Sequence, residues 1–183
     1  FGVADVSGKG IKSSLLMSKA SSLYRCLSKT IYSASSLLKI LNDEICETTT
    51  RGMFVTMIVG VYDKNKNELL LSNAGHEPPL IFSKDGNFKT IDEAGPPLGI
   101  APNFKFTEQT ISFKESSMYI FTDGITEMKN NNGDMLGQEG FQDYIKKYQS
   151  IPNNKRLHKM IEELISSGRI QKDDLTIVTV DGN

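Results

Sequence analysis

Apolar residues recur at steps of three and four through the first quarter of the chain, then at every other position or in unbroken runs, and finally at three and four again. The first residues, Phe1 to Ala4, read as the end of a buried strand that stops at Asp5, with Gly8 and Gly10 turning the chain toward a helix. From Ile11, the positions Leu15, Leu16, Ala20, Leu23, Tyr24, Leu27 and Ile31 mark one face of an amphipathic helix of roughly five turns, opposite Lys12, Ser22 and Arg25. Ser33, Ser35 and Ser36 offer N-caps for a second helix over 37–47, with the stripe Leu37, Leu38, Leu41 and Ile45 and a stop at 48–52. The period then shortens to two. Positions 53–62 are apolar enough for a strand covered on both faces, and a polar turn at 63–67 returns the chain through 68–72 as an antiparallel hairpin. Beyond the loop Asn73-Ala74-Gly75-His76, the stretches 80–83 and 88–91 form another hairpin about 84–87. Gly95, Pro96, Pro97 and Gly99 interrupt regular structure, and 104–113 with 117–122 read as a third strand pair. Helical spacing resumes over 137–148 and 155–167, the latter with Leu157, Met160, Ile161, Leu164 and Ile165 on one side, before a closing strand over 175–180. The order predicts an α+β fold in which helices flank a sheet or a pair of sheets.

Composition narrows the picture. The 183 residues fit one domain, 1–183, able to bury a core without disulfides. A net charge of -1 provides no field for nucleic acid, so no nucleic-acid partner is expected. No apolar run approaches the roughly 18 residues of a membrane span and no signal-peptide pattern opens the chain, which points to no membrane insertion in this segment. Cys26 and Cys46 fall in helical segments and read as small buried thiols in a reducing compartment; with two dispersed His they make no zinc site of the usual spacing. Gly8-Lys9-Gly10 is not a phosphate-binding P-loop, because no Ser or Thr follows the Lys and Val3 stands where the first Gly belongs. A start in mid-strand on Phe1 reads as a piece of a longer protein.

Three acidic positions share one context: Asp5 ends the first strand, Asp123 ends another before Gly124, and Asp173 with Asp174 begins the last. If they converge, their mutual repulsion calls for a bound cation. Two divalent ions sharing a bridging Asp would polarise a phosphoryl oxygen and activate water, with no protein nucleophile needed. The plainer alternative is that each Asp closes a local turn. Secondary candidates carry the same duality. His76 is a general acid or an organiser of loop backbone; Ser7 and Lys9 touch a substrate phosphate or simply occupy a turn. Thr56, a polar break in an apolar strand, satisfies buried backbone or an acidic side chain, and Glu127 accepts from metal-bound water or is an ordinary surface residue. No Ser-His-Asp or Cys-His signature of a covalent nucleophile is present.

The motifs Asp5-Val6-Ser7-Gly8-Lys9-Gly10, Phe54-Val55-Thr56-Met57, Asn73-Ala74-Gly75-His76, Pro97-Leu98-Gly99, Asp123-Gly124-Ile125-Thr126-Glu127 and Asp173-Asp174-Leu175-Thr176 together resemble the SpoIIE-type branch of the PPM (protein phosphatase 2C-like) metal-dependent serine/threonine phosphatases. The resemblance implies a four-layer αββα sandwich of two antiparallel sheets flanked by helices, lacking the family's N-terminal strand or strands and first acidic motif. It implies two divalent cations, Mn²⁺ or Mg²⁺, with Asp5 bridging both, the Val6 carbonyl on one, and Asp123 and Asp173 completing the other. Asp174 would hold ligands or water in place, and Gly8, Gly10, Gly99 and Gly124 would shape the site's loops. The implied function is hydrolysis of phosphoserine or phosphothreonine by metal-activated water in a cytoplasmic signalling protein. Its substrate would be an anti-sigma-factor antagonist, and a sensor or receiver domain would precede the segment. A catalytically inactive binding module is the alternative, and an open sheet edge at residues 1–4 points to self-association.

Overall fold

The change of hydrophobic period is where helix gives way to strand, and the elements follow it closely. The computed structural model describes residues 1–49, 52–92 and 94–182; of the helix stop expected at 48–52, residues 50 and 51 lie outside these. In chain order the elements are β1 (Gly2–Val6), α1 (Ile11–Leu27), α2 (Ala34–Thr48), β2 (Val55–Asp63), β3 (Glu68–Ala74), β4 (Leu80–Ser83), β5 (Phe88–Thr90), β6 (Gln109–Ser112), β7 (Ser116–Phe121), α3 (Asp123–Thr126), α4 (Gly137–Tyr148), α5 (Asn153–Ser166) and β8 (Ile177–Asp181). They sort into two compact units, residues 1–78 with 92–114, and 79–91 with 115–182. Each is built on one four-stranded antiparallel sheet, consistent with the α+β expectation.

In the first unit the sheet order is β1-β2-β3-β6. Leu37, Leu38, Leu41 and Ile45 of α2 are all buried, as their stripe predicts, and share a core with Leu16 and Ala20 of α1 and with Val55, Met57 and Val59 of β2. Ile58, on the other face of β2, is also fully buried, so this strand is covered on both sides. Ser33 caps α2 by accepting the Ser36 N–H at 3.2 Å, and the Glu108 carboxylate accepts the Ser35 N–H at 3.1 Å. At the other end, the Lys19 ammonium donates to the Glu44 carbonyl at 2.6 Å and to the Thr48 hydroxyl, tying α1 to the last turn of α2. The stripe assigned to α1 needs correction at its start: Ile11 and Leu15 are 81% and 66% exposed, whereas Ser13 is buried. Ser13 turns inward because its hydroxyl donates to the Ser7 carbonyl at 3.0 Å, which rotates the first turn against the preceding loop. Cys26 is exposed on the same helix and Cys46 only half-buried, contrary to two buried thiols.

In the second unit the order is β5-β4-β7-β8. Phe82, Tyr119 and Phe121 meet Phe141 and Ile145 of α4 and Met160 and Leu164 of α5, with the Phe121 and Phe141 rings edge to face at 4.9 Å. The third strand pair does not exist. β6 lies on β3 in the first sheet, and β7 runs between β4 and β8 in the second. The residues on either side of Lys114 are claimed by different neighbours: Phe113 N–H donates to the Asn67 carbonyl at 2.8 Å and Lys84 N–H donates to the Glu115 carbonyl at 3.2 Å. In α5 the buried stripe is Arg156, Met160 and Leu164, while Ile165 is 58% exposed. The Arg156 guanidinium enters the core because it finds donors' partners there, the Tyr119 hydroxyl at 2.8 Å and the Ser117 hydroxyl at 3.3 Å, with Asp181 at 3.5 Å. Among the described residues no helix is long and apolar enough to cross a membrane.

Candidate metal centre

The first unit positions Asp5. Phe1 exchanges both backbone hydrogen bonds with Gly60, at 2.9 and 3.0 Å, and Ser7 N–H donates to the Phe54 carbonyl at 3.0 Å. Odd-numbered residues of β1 therefore face β2, and the backbone groups of Gly2, Ala4 and Val6 face the other edge. Asp5 is exposed at the strand's end, and one of its carboxylate oxygens accepts the Val6 N–H at 2.9 Å. Directly across the ladder stands Thr56. Its hydroxyl donates to the Asp5 carbonyl at 3.4 Å and lies 3.0 Å from His76 Nδ1. His76 is buried, and its backbone is clasped by the Asn73 side chain, which accepts the His76 N–H at 2.8 Å and donates to its carbonyl at 3.0 Å. Pro97-Leu98-Gly99 belongs to the same surroundings: Leu98 pairs with Val55, one residue from Thr56, through bonds of 3.0 and 2.8 Å, and Gly99 N–H donates to the buried Asn42 at 3.1 Å. Four sequence motifs are thus linked around the end of β1.

The loop after Asp5 is held from both sides. The Ser7 hydroxyl accepts the Phe54 N–H at 2.8 Å, so Ser7 serves to fasten the loop to the start of β2. Lys9 is exposed. Gly8 and Gly10 have φ of 78° and 89°, in the left-handed region that side chains disfavour, and this lets the chain turn from strand to helix within a few residues.

The second unit positions the other acids. Asp123 opens the one-turn helix α3 immediately after β7, and its carbonyl accepts the Glu127 N–H at 2.8 Å and the Thr126 hydroxyl at 3.1 Å. Thr122, just before it, staples the segment that carries Asp173 and Asp174. Its N–H donates to the Thr176 carbonyl, its hydroxyl donates to the Asp174 carbonyl, and that hydroxyl accepts the Thr176 N–H, all at 3.2 Å. Gly124 makes the approach possible: a Cβ there would sit 2.2 Å from the Asp174 carbonyl oxygen. Asp123 and the Asp173-Asp174 pair, fifty residues apart in sequence, are in this way brought alongside one another. Asp173 repeats the habit of Asp5, one carboxylate oxygen accepting the next residue's N–H at 2.9 Å. Asp123, Glu127, Asp173 and Asp174 are all exposed. Sequence reasoning overlooked Thr122 and Asn73; the signal for Thr122 was a hydroxyl placed directly ahead of an acid at the end of an apolar strand.

Among the described residues, no group of three or more His, Cys, Asp and Glu side chains forms a set that could hold a metal ion. The acids come instead in two sets, one positioned by each unit. Their chemistry fits hard divalent cations, which prefer carboxylate and backbone carbonyl oxygens presented on rigid elements.

The class of protein to which these two antiparallel sheets, with acids near their strand ends, belong is identified by comparison with known proteins. The chain belongs to the SpoIIE family, described as stage II sporulation protein E, whose model matches residues 1–182. It is thereby a member of the SpoIIE-type branch of the PPM phosphatases. Phosphoserine phosphatase RsbU of Bacillus subtilis (strain 168) is 29% identical over 181 residues, which are 97% of this chain and 54% of RsbU, so the chain spans about half of that relative's length. Among solved structures, the SiaA-PP2C domain of Pseudomonas aeruginosa superposes with a TM-score of 0.85 at 15% identity, covering 100% of this chain and 75% of that one. The catalytic domain of the serine/threonine phosphatase PstP, crystallised with two manganese ions, superposes with a TM-score of 0.71 at 15% identity, covering 98% and 86%. These likenesses show the protein phosphatase 2C fold.

Proposed function

We propose that residues 1–183 are the phosphatase domain of a metal-dependent serine/threonine phosphoprotein phosphatase. The observation that carries this reading is the stapling of Asp173 and Asp174 beside Asp123 by Thr122, across a Gly124 that tolerates no side chain. In this reading Asp5, the Val6 carbonyl, Asp123 and Asp173 would hold divalent cations, Mn²⁺ or Mg²⁺, and supply them with oxygen ligands. The Val6 backbone lies on the edge of β1 turned away from β2, so its carbonyl is not taken up by that ladder, which supports this role. Asp174 steadies the second set, and Thr56 steadies the Asp5 backbone with His76 behind it. Lys9 meets the substrate phosphate from the glycine turn, Ser7 holds that turn, and Glu127 receives a proton from water. When bound, the cations polarise the phosphoryl group and lower the pKa of water.

The substrate in this reading is a phosphoserine of an anti-sigma-factor antagonist in the cytoplasm, and the parent chain carries a sensor or receiver domain. The similarity to phosphoserine phosphatase RsbU supports the chemistry. In the full chain, Mn²⁺-dependent release of phosphate from a serine-phosphorylated protein is expected, falling about 100-fold or more on Asp5→Ala or Asp123→Ala. Calorimetric titration with Mn²⁺ should show the same two substitutions removing binding heat. Activity that survives both changes would overturn the assigned roles, and an unaltered chain that neither binds Mn²⁺ nor turns over would be a binding module.

A further inference from the structure

Lys129 pairs with Met135 on one side and with Ile170 on the other, so three short stretches of the second unit lie side by side as a ribbon. Lys129 and Ile170 exchange backbone bonds of 3.3 and 2.7 Å, and Leu136 N–H donates to the Met128 carbonyl at 2.8 Å. Residues directly opposite one another share a face, and their chain neighbours take the other. The inward face is Met128 and Leu136, both buried in the unit's core. The outward face is a row of Met135, Lys129 and Ile170, with Met135 and Ile170 each 55% exposed. Alternation places polar side chains on the wet face of such a ribbon, and two large aliphatics there mark a surface for contact.

The ribbon's place in the chain says what it contacts. Its central strand follows Asp123 through the single turn of α3, and Ile170 precedes Asp173 by three residues, at most about 11 Å of extended chain. Positive charge accompanies the aliphatic row: Lys129 lies within it and Lys172 follows Ile170 by two residues, while the Arg169 guanidinium donates to the Met128 carbonyl at 3.4 Å. The nearby Asp134 carboxylate is engaged by the Asn130 side chain at 3.0 Å. Aliphatic side chains among cations, beside carboxylates that hold the reaction centre, suit a protein surface with an apolar spot next to an acidic, phosphorylated serine. A phosphoserine alone contributes a charge of about -1.5 to -2.

We propose that the outward face of this ribbon, Met135, Lys129 and Ile170, is the docking lip for the phosphoprotein substrate. The proposal rests on the phosphatase reading and adds the element by which the protein part of the substrate is recognised. In the full chain with Mn²⁺, kcat/KM is measured for a serine-phosphorylated anti-sigma-factor antagonist and for para-nitrophenyl phosphate, which is too small to reach the lip. The double substitution Met135→Ser with Ile170→Ser is expected to lower the ratio of the two about tenfold, with the loss in KM for the phosphoprotein. Lys129→Glu, a surface charge reversal that leaves the aliphatic contacts in place, should lower the same ratio and weaken its dependence on salt. A ratio unchanged in both variants overturns the docking lip while leaving the phosphatase reading intact. An unaltered chain that hydrolyses neither substrate overturns that reading and the lip with it.

Discussion

At the scale of single residues, the site depends on atoms that are absent as much as on carboxylates that are present. Gly124 has a hydrogen where any other residue would drive a carbon to 2.2 Å from the Asp174 carbonyl oxygen. Gly124→Ala must push apart the two segments that Thr122 joins, and overpacking of this kind costs about 1–3 kcal/mol. Urea denaturation should show the loss as a lower midpoint with an unchanged slope; an unaltered midpoint would mean the segments part freely. The sequence made Asp5, Asp123 and Asp173 legible because acids at the ends of apolar runs stand out. What it could not disclose was how they are held. Thr122 and Asn73 act through bonds to backbone far along the chain or three residues away, and a hydroxyl or amide in a polar neighbourhood has no periodicity to betray it. His76 follows the same rule: its place in a polar loop left a general acid and an organiser of backbone both open, and it is the Asn73 clasp that fixes its buried place.

At the scale of elements, periodic stripes were read correctly where apolar packing decides orientation and misread where polar anchors do. The stripe of α2 is buried throughout, whereas α1 is rotated by Ser13 and α5 admits Arg156. The pairing of β6 with β7 failed for a different reason, since adjacency in sequence favours a hairpin but the flanking carbonyls of Asn67 and Glu115 direct the two strands to different sheets. The α4–α5 pair also carries a titratable contact. Glu163 accepts from the Lys147 ammonium, with its nearer oxygen at 2.5 Å, and from the Tyr148 hydroxyl. Lys147 first and Tyr148 second hold the Glu163 carboxyl below its ordinary value. A depressed carboxyl stabilises the fold above the ordinary glutamate value of about 4.3, and that contribution disappears as pH falls through the folded-state value. Glu163→Gln should therefore lower stability in the neutral region and converge with the unaltered chain at acid pH, flattening the acid limb of a stability-against-pH curve; parallel curves would show the contact to be energetically silent.

At the scale of the whole molecule, nearly every element was foreseeable from pattern, because two helices, a run of strands and two more helices leave few ways to cover apolar faces, whereas the pattern left one sheet or two open and only the family resemblance implied a pair. The crossing of the chain between sheets was not foreseeable, since it is set by single hydrogen bonds rather than by burial. Among the described residues β1 has a strand partner on one side only. The backbone groups of Gly2, Ala4 and Val6 line its other side, and an edge of this kind recruits a second copy. Light scattering on the isolated segment should give an apparent mass that climbs with concentration; a monomer mass constant across the range would refute association through that edge.

The bonds from Thr122 to residues 174–176 also impose an order of events during synthesis. β7 and α3 leave the ribosome some fifty residues ahead of the strand that must lie against them. Until β8 has emerged, Asp123 waits without the acids it is stapled beside, so an incomplete nascent polypeptide carries the means to fold its first sheet but not to bring Asp123 and Asp174 together.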